Sequence, residues 1–372
     1  MKKKETKQVL IIGAGLTGLT LAERCANDGN KVLIIEQRSH IGGNCFDQKS
    51  KAGVLVHKYG PHIFHTNHKE VFEYLSKFTE WNNYEHKVLG FVDKKYVPIP
   101  FNLNTLFSLL PQKAELLEEK LIKSFGENKK IPILELKKTK DKDLKFLANF
   151  IYKKIFLDYT KKQWGGRKPE KLDSSVTARV PVLTSRDDRY FQDKYQGMPK
   201  NGYTKMFERM AKNKNIKIKL NTSYKNKVRE GHDLLFFTGP IDEFFNYKFG
   251  KLEYRKLKME FKTLNKKEYQ PGAVVNYPDL EHPFTRITEF KKMTWQKHEK
   301  TTVGIEYPGN EGFETWPVLD NKNRKILERY KKEVEGLKNQ NIYFVGRLAE
   351  FKYYNMDEVV KNALDIYKNV KA

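Results

Sequence analysis

Val9, Leu10, Ile11 and Ile12 run straight into Gly13-Ala14-Gly15-Leu16-Thr17-Gly18, and no other stretch of the chain restricts its fold so tightly. A short β-branched strand, then G-x-G-x-x-G, then a helical apolar pattern (Leu19, Leu21, Ala22, Cys25) reads as a strand–turn–helix unit. A second apolar strand at 31–35 ends on Glu36. That acid stands roughly 20 residues beyond the glycines, where a dinucleotide-binding unit needs an acceptor for a ribose hydroxyl. Gly13 permits the tight turn, Gly15 lets backbone approach a pyrophosphate, and Gly18 lets helix and strand pack closely. The helix start then offers unpaired N–H groups and a positive dipole end to phosphate.

The 372 residues leave room for two or three domains around that unit. Neither Cys25 nor Cys45 lies in a C-x-x-C pair, so the chain has no disulfide framework or redox dithiol. Both read as small packing residues in a reducing compartment. Lys2, Lys3 and Lys4 are followed by polar residues, and no run approaches the roughly 18 apolar residues of a membrane helix. A cytoplasmic protein without membrane insertion is expected. The net charge of +25 invites a nucleic-acid reading, but only thirteen of the 71 basic residues are arginine and the lysines are scattered. No nucleic-acid partner is expected, only a diffuse peripheral attraction to acidic surfaces. Where lysine supplies most of the positive charge, an arginine among apolar neighbours marks a place for a planar, bidentate donor. Arg179, Arg255, Arg286 and Arg347 stand in such places.

Ile41-Gly42-Gly43-Asn44 forms a second glycine turn. His62 and His65 stand three apart, but no acid or cysteine accompanies them in their segment, so no metal site is expected. Residues 103–156 are mostly helical, with Leu116, Leu117, Leu121 and Ile122 predicted on one buried face and Phe146, Leu147, Phe150 and Ile151 on another. Gly165 and Gly166 open a loop, 165–175, expected to be mobile. Later stretches near 257–261, 273–276 and 302–306 alternate as strands of an antiparallel sheet. The chain closes on a strand ending at Gly346-Arg347 and a helix at 356–367, with no second G-x-G-x-x-G. A single fingerprint with a returning strand and helix points to FAD.

The predicted fold class is α/β: an FAD-binding Rossmann-like domain with an inserted helical bundle and an antiparallel β-sheet domain. Residues 7–68, 208–245 and 340–368 are assigned to the first, and 100–172 to the bundle. Residues 69–99, 173–207 and 246–339 are assigned to a substrate-binding sheet domain.

Taken together, these motifs resemble the bacterial UDP-galactopyranose mutases. The resemblance is carried by the two glycine turns, Tyr59-Gly60-Pro61-His62-Ile63-Phe64-His65-Thr66 and Asp158-Tyr159-Thr160-Lys161-Lys162-Gln163-Trp164-Gly165. It continues through Tyr190-Phe191, Gln196-Gly197-Met198-Pro199, Phe284-Thr285-Arg286-Ile287, Gly346-Arg347-Leu348-Ala349 and Tyr353-Tyr354-Asn355-Met356-Asp357. It implies a dimeric isomerase that needs reduced FAD. Such an enzyme interconverts UDP-galactopyranose and UDP-galactofuranose, through an adduct of flavin N5 with the sugar, for surface glycans.

The resemblance also implies roles for individual residues. Arg179 and Arg286 would neutralise the leaving diphosphate, with His62 and His65 near flavin and sugar. Tyr159, Thr160, Trp164, Tyr190, Phe191, Asn276, Tyr353, His86 and Arg255 would bind substrate. So would Trp316, which stands where many relatives carry tyrosine and offers no hydroxyl. The cofactor would be held by Gly13, Gly15, Leu16, Thr17, Gly18, Glu36, Gln37, Arg38, Gly43, Asn44 and His62. Thr238, Gly239, Gly346, Arg347, Tyr354, Asn355 and Met356 would complete its site. Two other readings share parts of the pattern. An FAD amine oxidase or desaturase shares the N-terminal fingerprint but leaves the Tyr159-to-Trp164 segment unexplained. A mutase tolerant of UDP-N-acetylgalactosamine shares all of it.

Overall fold

The computed structural model describes residues 5–173, 180–224 and 230–371. The fingerprint strand Gln8–Ile12 lies at the centre of a five-stranded, wholly parallel sheet. Lys31–Ile35 and Ile216–Lys219 lie to one side of it, and Leu234–Phe237 and Ile342–Phe344 to the other. Leu10 and Ile11 point to opposite faces and are both fully buried. That double burial is why the strand reads as an unbroken apolar run instead of an alternation. The helix Leu16–Asn27 covers one face and packs against the closing helix Met356–Lys371. Because the strands are parallel, the carboxyl ends of three neighbours, and so Gly13, Thr238 and Val345, share one edge.

A second sheet has seven strands. In spatial order they are Phe313–Pro317, Tyr254–Leu264, Thr301–Gly309, Arg286–Glu289, Val274–Asn276, Val88–Val92 and Lys95–Ile99. The expected antiparallel pairing holds at every join except that between Val274–Asn276 and Val88–Val92, which run parallel. Parallel neighbours need a long crossover, and here it contains the whole helical insertion. Asn276 pairs with Arg286, and Arg286 with Glu306, so three polar side chains form one row across the sheet.

The insertion includes the helices Leu103–Leu109, Ala114–Phe125 and Lys142–Ile151, then a π-helical turn Tyr152–Leu157 and the helix Asp158–Gln163. Asn102 caps the first by accepting from the Thr105 N–H, and Asp141 caps the third by accepting from Asp143 and Leu144. The expected buried faces need correction. Leu116 and Phe146 are exposed, and Ile122 and Phe150 are only half-buried. The buried stripes are Ala114, Leu117, Leu121 and Leu144, Leu147, Ala148, Ile151. Adjacent residues on a helix lie about 100° apart, so Leu116 cannot share the core direction of Leu117 and Leu121. The Phe146 ring lies under the Lys113 ammonium instead, 4.5 Å away.

Both cysteines are buried in the main core, and burial pushes each thiol up to about 12. The thiolate is the reactive species. The native protein is therefore expected to leave both thiols unmodified by an aromatic disulfide reagent at about pH 8, with both reacting after denaturation. Reaction of either thiol in the native state would contradict their packing role.

Candidate active site

At the shared edge of the parallel sheet the glycines are used up by close approaches of backbone. A Cβ on Gly18 would lie 2.0 Å from the Gly13 carbonyl oxygen, and one on Gly13 would lie 2.2 Å from Thr238 Oγ1. Gly43, in the second glycine turn, is seated against Gly15, where its Cβ would come within 3.1 Å of Gly15 Cα. Glu36 braces this cradle. One carboxylate oxygen accepts from the Ala14 N–H and the other from the Arg38 N–H, each at 2.8 Å. Thr238 donates from both its N–H and its hydroxyl to the Ile12 carbonyl. Arg38 stacks over Tyr59 at 4.5 Å and donates through Nη2 to Asn44, while its buried Nη1 has no partner. Leu16 and Thr17 are buried at the helix start, and Gln37 is exposed.

Between this cradle and the seven-stranded sheet lies a cavity of about 300 Å³. It brings together His62, His65, His86, Tyr159, Thr160, Trp164, Tyr190, Phe191, Asn276, Arg286, Trp316 and Tyr353 from the implied catalytic and substrate set. Asn44, Arg347, Asn355 and Met356 also line it, from the cradle side. Gly239 lies beside Thr238 and stays outside this wall. Tyr354 also lies behind it; its hydroxyl donates to Glu350 and its carbonyl accepts from Arg347. Gly346 brings the last strand against Thr17. Arg255 is set apart: it donates from Nε to the Gln163 carbonyl at 3.1 Å and packs on Gly165, supporting the Trp164 loop from outside the cavity. Arg179 and residues 174–175 of the 165–175 loop lie outside the described residues.

Arg286 dominates the electrostatics. Nη2 donates to the Tyr159 hydroxyl at 2.8 Å, and Nε lies 3.4 Å from Glu306 without a hydrogen bond. Burial disfavours its charge, but Glu306, Tyr159 and Tyr190 outweigh that and hold the guanidinium firmly protonated. Burial lifts the Glu306 carboxyl above its ordinary value and Arg286 pulls it back. Glu306 is therefore the member of the pair whose proton can move. Asn276 Oδ1, beside them in the row, is buried and has no partner. An unpaired buried acceptor is costly unless a ligand satisfies it.

The histidines are not interchangeable. Burial holds His62 down to about 3, so it is neutral near pH 7, and its Nδ1 faces the Gly60 carbonyl at 2.9 Å. That contact assigns the proton to Nδ1 and leaves Nε2 as an acceptor. His86 is likewise held down to about 3, first by burial and then by Arg286 and His65. His65 stacks on Phe191 at 3.6 Å and its Nδ1 faces Asp193 at 2.5 Å. Trp164 and Trp316 face each other at 6.3 Å. Sequence reasoning missed Glu306 and Asp193. A single acid inside the buried run 301–306 was a usable signal for Glu306, whereas Asp193 sits in an irregular segment with none.

Comparison with known proteins bears on this geometry. A family model described as UDP-galactopyranose mutase matches residues 154–353, and one for an NAD(P)-binding Rossmann-like domain matches 11–78. A probable UDP-galactopyranose mutase of Klebsiella pneumoniae is 37% identical over 364 residues, covering 96% of this chain and 93% of that protein. A dTDP-fucopyranose mutase of Escherichia coli is 35% identical, covering 96% of this chain and 97% of that one. A solved structure of reduced UDP-galactopyranose mutase superposes with a TM-score of 0.76 at 17% identity, covering 98% and 96% of the two chains, a likeness of fold.

Proposed function

The chain belongs to the UDP-galactopyranose mutase family, a flavin-dependent enzyme family, and from that premise we propose that it interconverts UDP-galactopyranose and UDP-galactofuranose using reduced FAD. The observation that carries this reading is the row Asn276–Arg286–Glu306, half-buried Arg286 between two buried neighbours, facing the cavity opposite the glycine cradle.

The residues present fit FAD. The absence of a Cβ at Gly15 leaves backbone open to a pyrophosphate, and the unpartnered Arg38 Nη1 offers a donor beside the cradle. Gly13, Leu16, Thr17 and Gly18 would take the pyrophosphate, with Glu36, Gln37 and Arg38 toward the adenosine end. Gly43, Asn44, His62, Thr238, Gly239, Gly346, Arg347, Tyr354, Asn355 and Met356 would take the remainder. When bound in its reduced form, FAD supplies an electron-rich ring nitrogen able to bond to an anomeric carbon.

The chain's own residues do the rest. Breaking the anomeric bond gathers negative charge on the diphosphate, and Arg286 presents a fixed positive charge to it. The hydroxyls of Tyr190 and Tyr353 add donors, and Arg179 is the proposed second tether. Tyr159, Thr160, Trp164, Phe191 and Trp316 enclose the nucleotide, while Asn276 Oδ1 accepts from a sugar hydroxyl. His62, held neutral by burial and bare at Nε2, accepts a hydrogen bond. Enclosure excludes water while the sugar is detached.

On this reading the protein is a cytoplasmic homodimer that supplies a furanose donor for surface glycans. Among the described residues no helix is long and apolar enough to cross a membrane. An amine oxidase would leave the Tyr159-to-Trp164 segment and the cavity-facing Arg286 without a task. The test is incubation of dithionite-reduced protein with UDP-galactofuranose and chromatography of the product, with dTDP-fucofuranose in parallel. UDP-galactopyranose formed only by reduced protein is the expected result. Turnover of the dTDP-sugar alone would reassign the substrate, and equal rates for oxidised protein would overturn the reading.

A further inference from the structure

Lys162 takes no part in the contacts described above, yet its ammonium sits at the joint between two walls of the cavity. From the helix Asp158–Gln163, Nζ donates to the carbonyls of Tyr277 at 2.5 Å, Phe284 at 2.9 Å and His282 at 3.1 Å. An ammonium has three donors and no acceptor, so this trio satisfies it fully. The three carbonyls belong to the turn joining Val274–Asn276, which carries Asn276, to Arg286–Glu289, which carries Arg286. The helix and this hairpin are therefore tied twice: inside the cavity by Arg286 to Tyr159, and outside it by Lys162.

No residue of Asp158–Gln163 is fully buried, so apolar packing alone does not seat this helix. Its position depends on side-chain ties. We propose that Lys162 is a positioning residue whose grip on the 277–284 turn sets the Tyr159 helix against Arg286 and so aims the guanidinium at the diphosphate. The inference rests on the reaction read above for its activity measurements.

Titration gives the tie a signature. Burial pushes Lys162 down to about 8, with Asp279 and Asp158 opposing. The turn also carries the titratable Tyr277, Glu281 and His282, and His282 Nδ1 is bonded to Asp279. A neutral amine turns a lone pair toward one of the three carbonyls and loosens the tie, so turnover falls as pH rises past about 8. Stability responds in the opposite sense. The folded value lies below the ordinary 10.5, so in that window the unfolded chain binds more protons and this group's contribution to stability grows with pH. A lysine with only a structural role would show the same stability trend without the decline in turnover.

The test uses the full, flavin-loaded chain as wild type, Lys162→Met, Lys162→Arg and Lys161→Met. Lys161 pairs with Asp158 on its own helix, at 2.8 Å, and serves as the control. Lys162→Met is expected to lower kcat/KM by about 10- to 100-fold, the scale of a small misplacement of binding groups, without lowering Tm. Lys162→Arg keeps a permanent charge, so it should recover most turnover and lose the decline up to about pH 9.5. Lys161→Met should match wild type. Wild-type turnover in Lys162→Met, or an unchanged alkaline decline in Lys162→Arg, overturns the proposal. If wild type fails to interconvert the sugars, the reaction is misread. The tie is then judged by amide exchange of 277–284, which must quicken in Lys162→Met and not in Lys161→Met.

Discussion

Arg286→Ala is expected to lower kcat by about 10²- to 10³-fold while the protein stays yellow. The size follows from the environment: the guanidinium is held in place by Tyr159 and lies beside Glu306, so its charge is already positioned when a diphosphate departs. The substitution does a second injury. Among the described residues Arg286 is the group that pulls the Glu306 carboxyl back toward its ordinary value, so its removal leaves a buried acid free to rise further. Below that raised value Glu306 is protonated and tolerable; above it, an unpaired carboxylate faces the substrate's own negative charge. The defect of Arg286→Ala should therefore deepen as pH rises. Adding Glu306→Gln should return part of the loss, with a coupling of about 1–3 kcal/mol between the two sites. Arg286→Lys, which keeps charge but not the planar fork, should fall between. Near-wild-type rates in Arg286→Ala, or strictly additive losses in the double variant, would remove Arg286 from its assigned place.

The other large effect separates two glycines of one motif. Gly18→Ala puts a methyl 2.0 Å from the Gly13 carbonyl oxygen and 3.3 Å from Ile11 Cγ2, so the helix must lift off its strand. Backbone cannot turn aside as a flexible side chain does, and a loss of about 3 kcal/mol is expected, with flavin lost alongside. Gly15→Ala is different. Its Cβ would find only Gly43 Cα at 4.0 Å, an ordinary contact, and its φ of −74° is one any residue adopts. Gly15→Ala should melt like the flavin-free wild type and yet bind flavin poorly, because the methyl occupies space kept for a ligand. Thermal melts with and without FAD, together with flavin absorbance, distinguish the two outcomes. A Gly15→Ala protein with normal flavin content would mean that the cradle does not meet a pyrophosphate at that glycine.

The legible parts of this chain share a physical feature. The fingerprint strand, its helix, Glu36 and the closing Met356–Lys371 helix depend on interactions close in sequence or on strong apolar periodicity. The errors arose where periodicity was read too broadly. Leu116 and Phe146 are apolar and helical, but each lies one residue out of phase with the buried stripe. Arg255 met the same criterion as Arg286, an arginine among apolar neighbours, yet one supports a loop and the other faces the cavity. Only the pairing of Arg286 with Asn276 and Glu306 across the sheet separates them.

By itself the amino-acid order determined that a parallel nucleotide-binding sheet must form, because glycine spacing, strand hydrophobicity and helix phase act within a few turns of chain. It also supplied the family motifs, since their residues stand side by side in sequence. What tertiary structure alone decided is which side chains confront one another. Asn276, Arg286 and Glu306 come into one row through strand register, and Lys162 reaches three carbonyls more than a hundred residues away. Contacts of that kind reflect where separate segments finally rest against each other, and local periodicity carries no information about it.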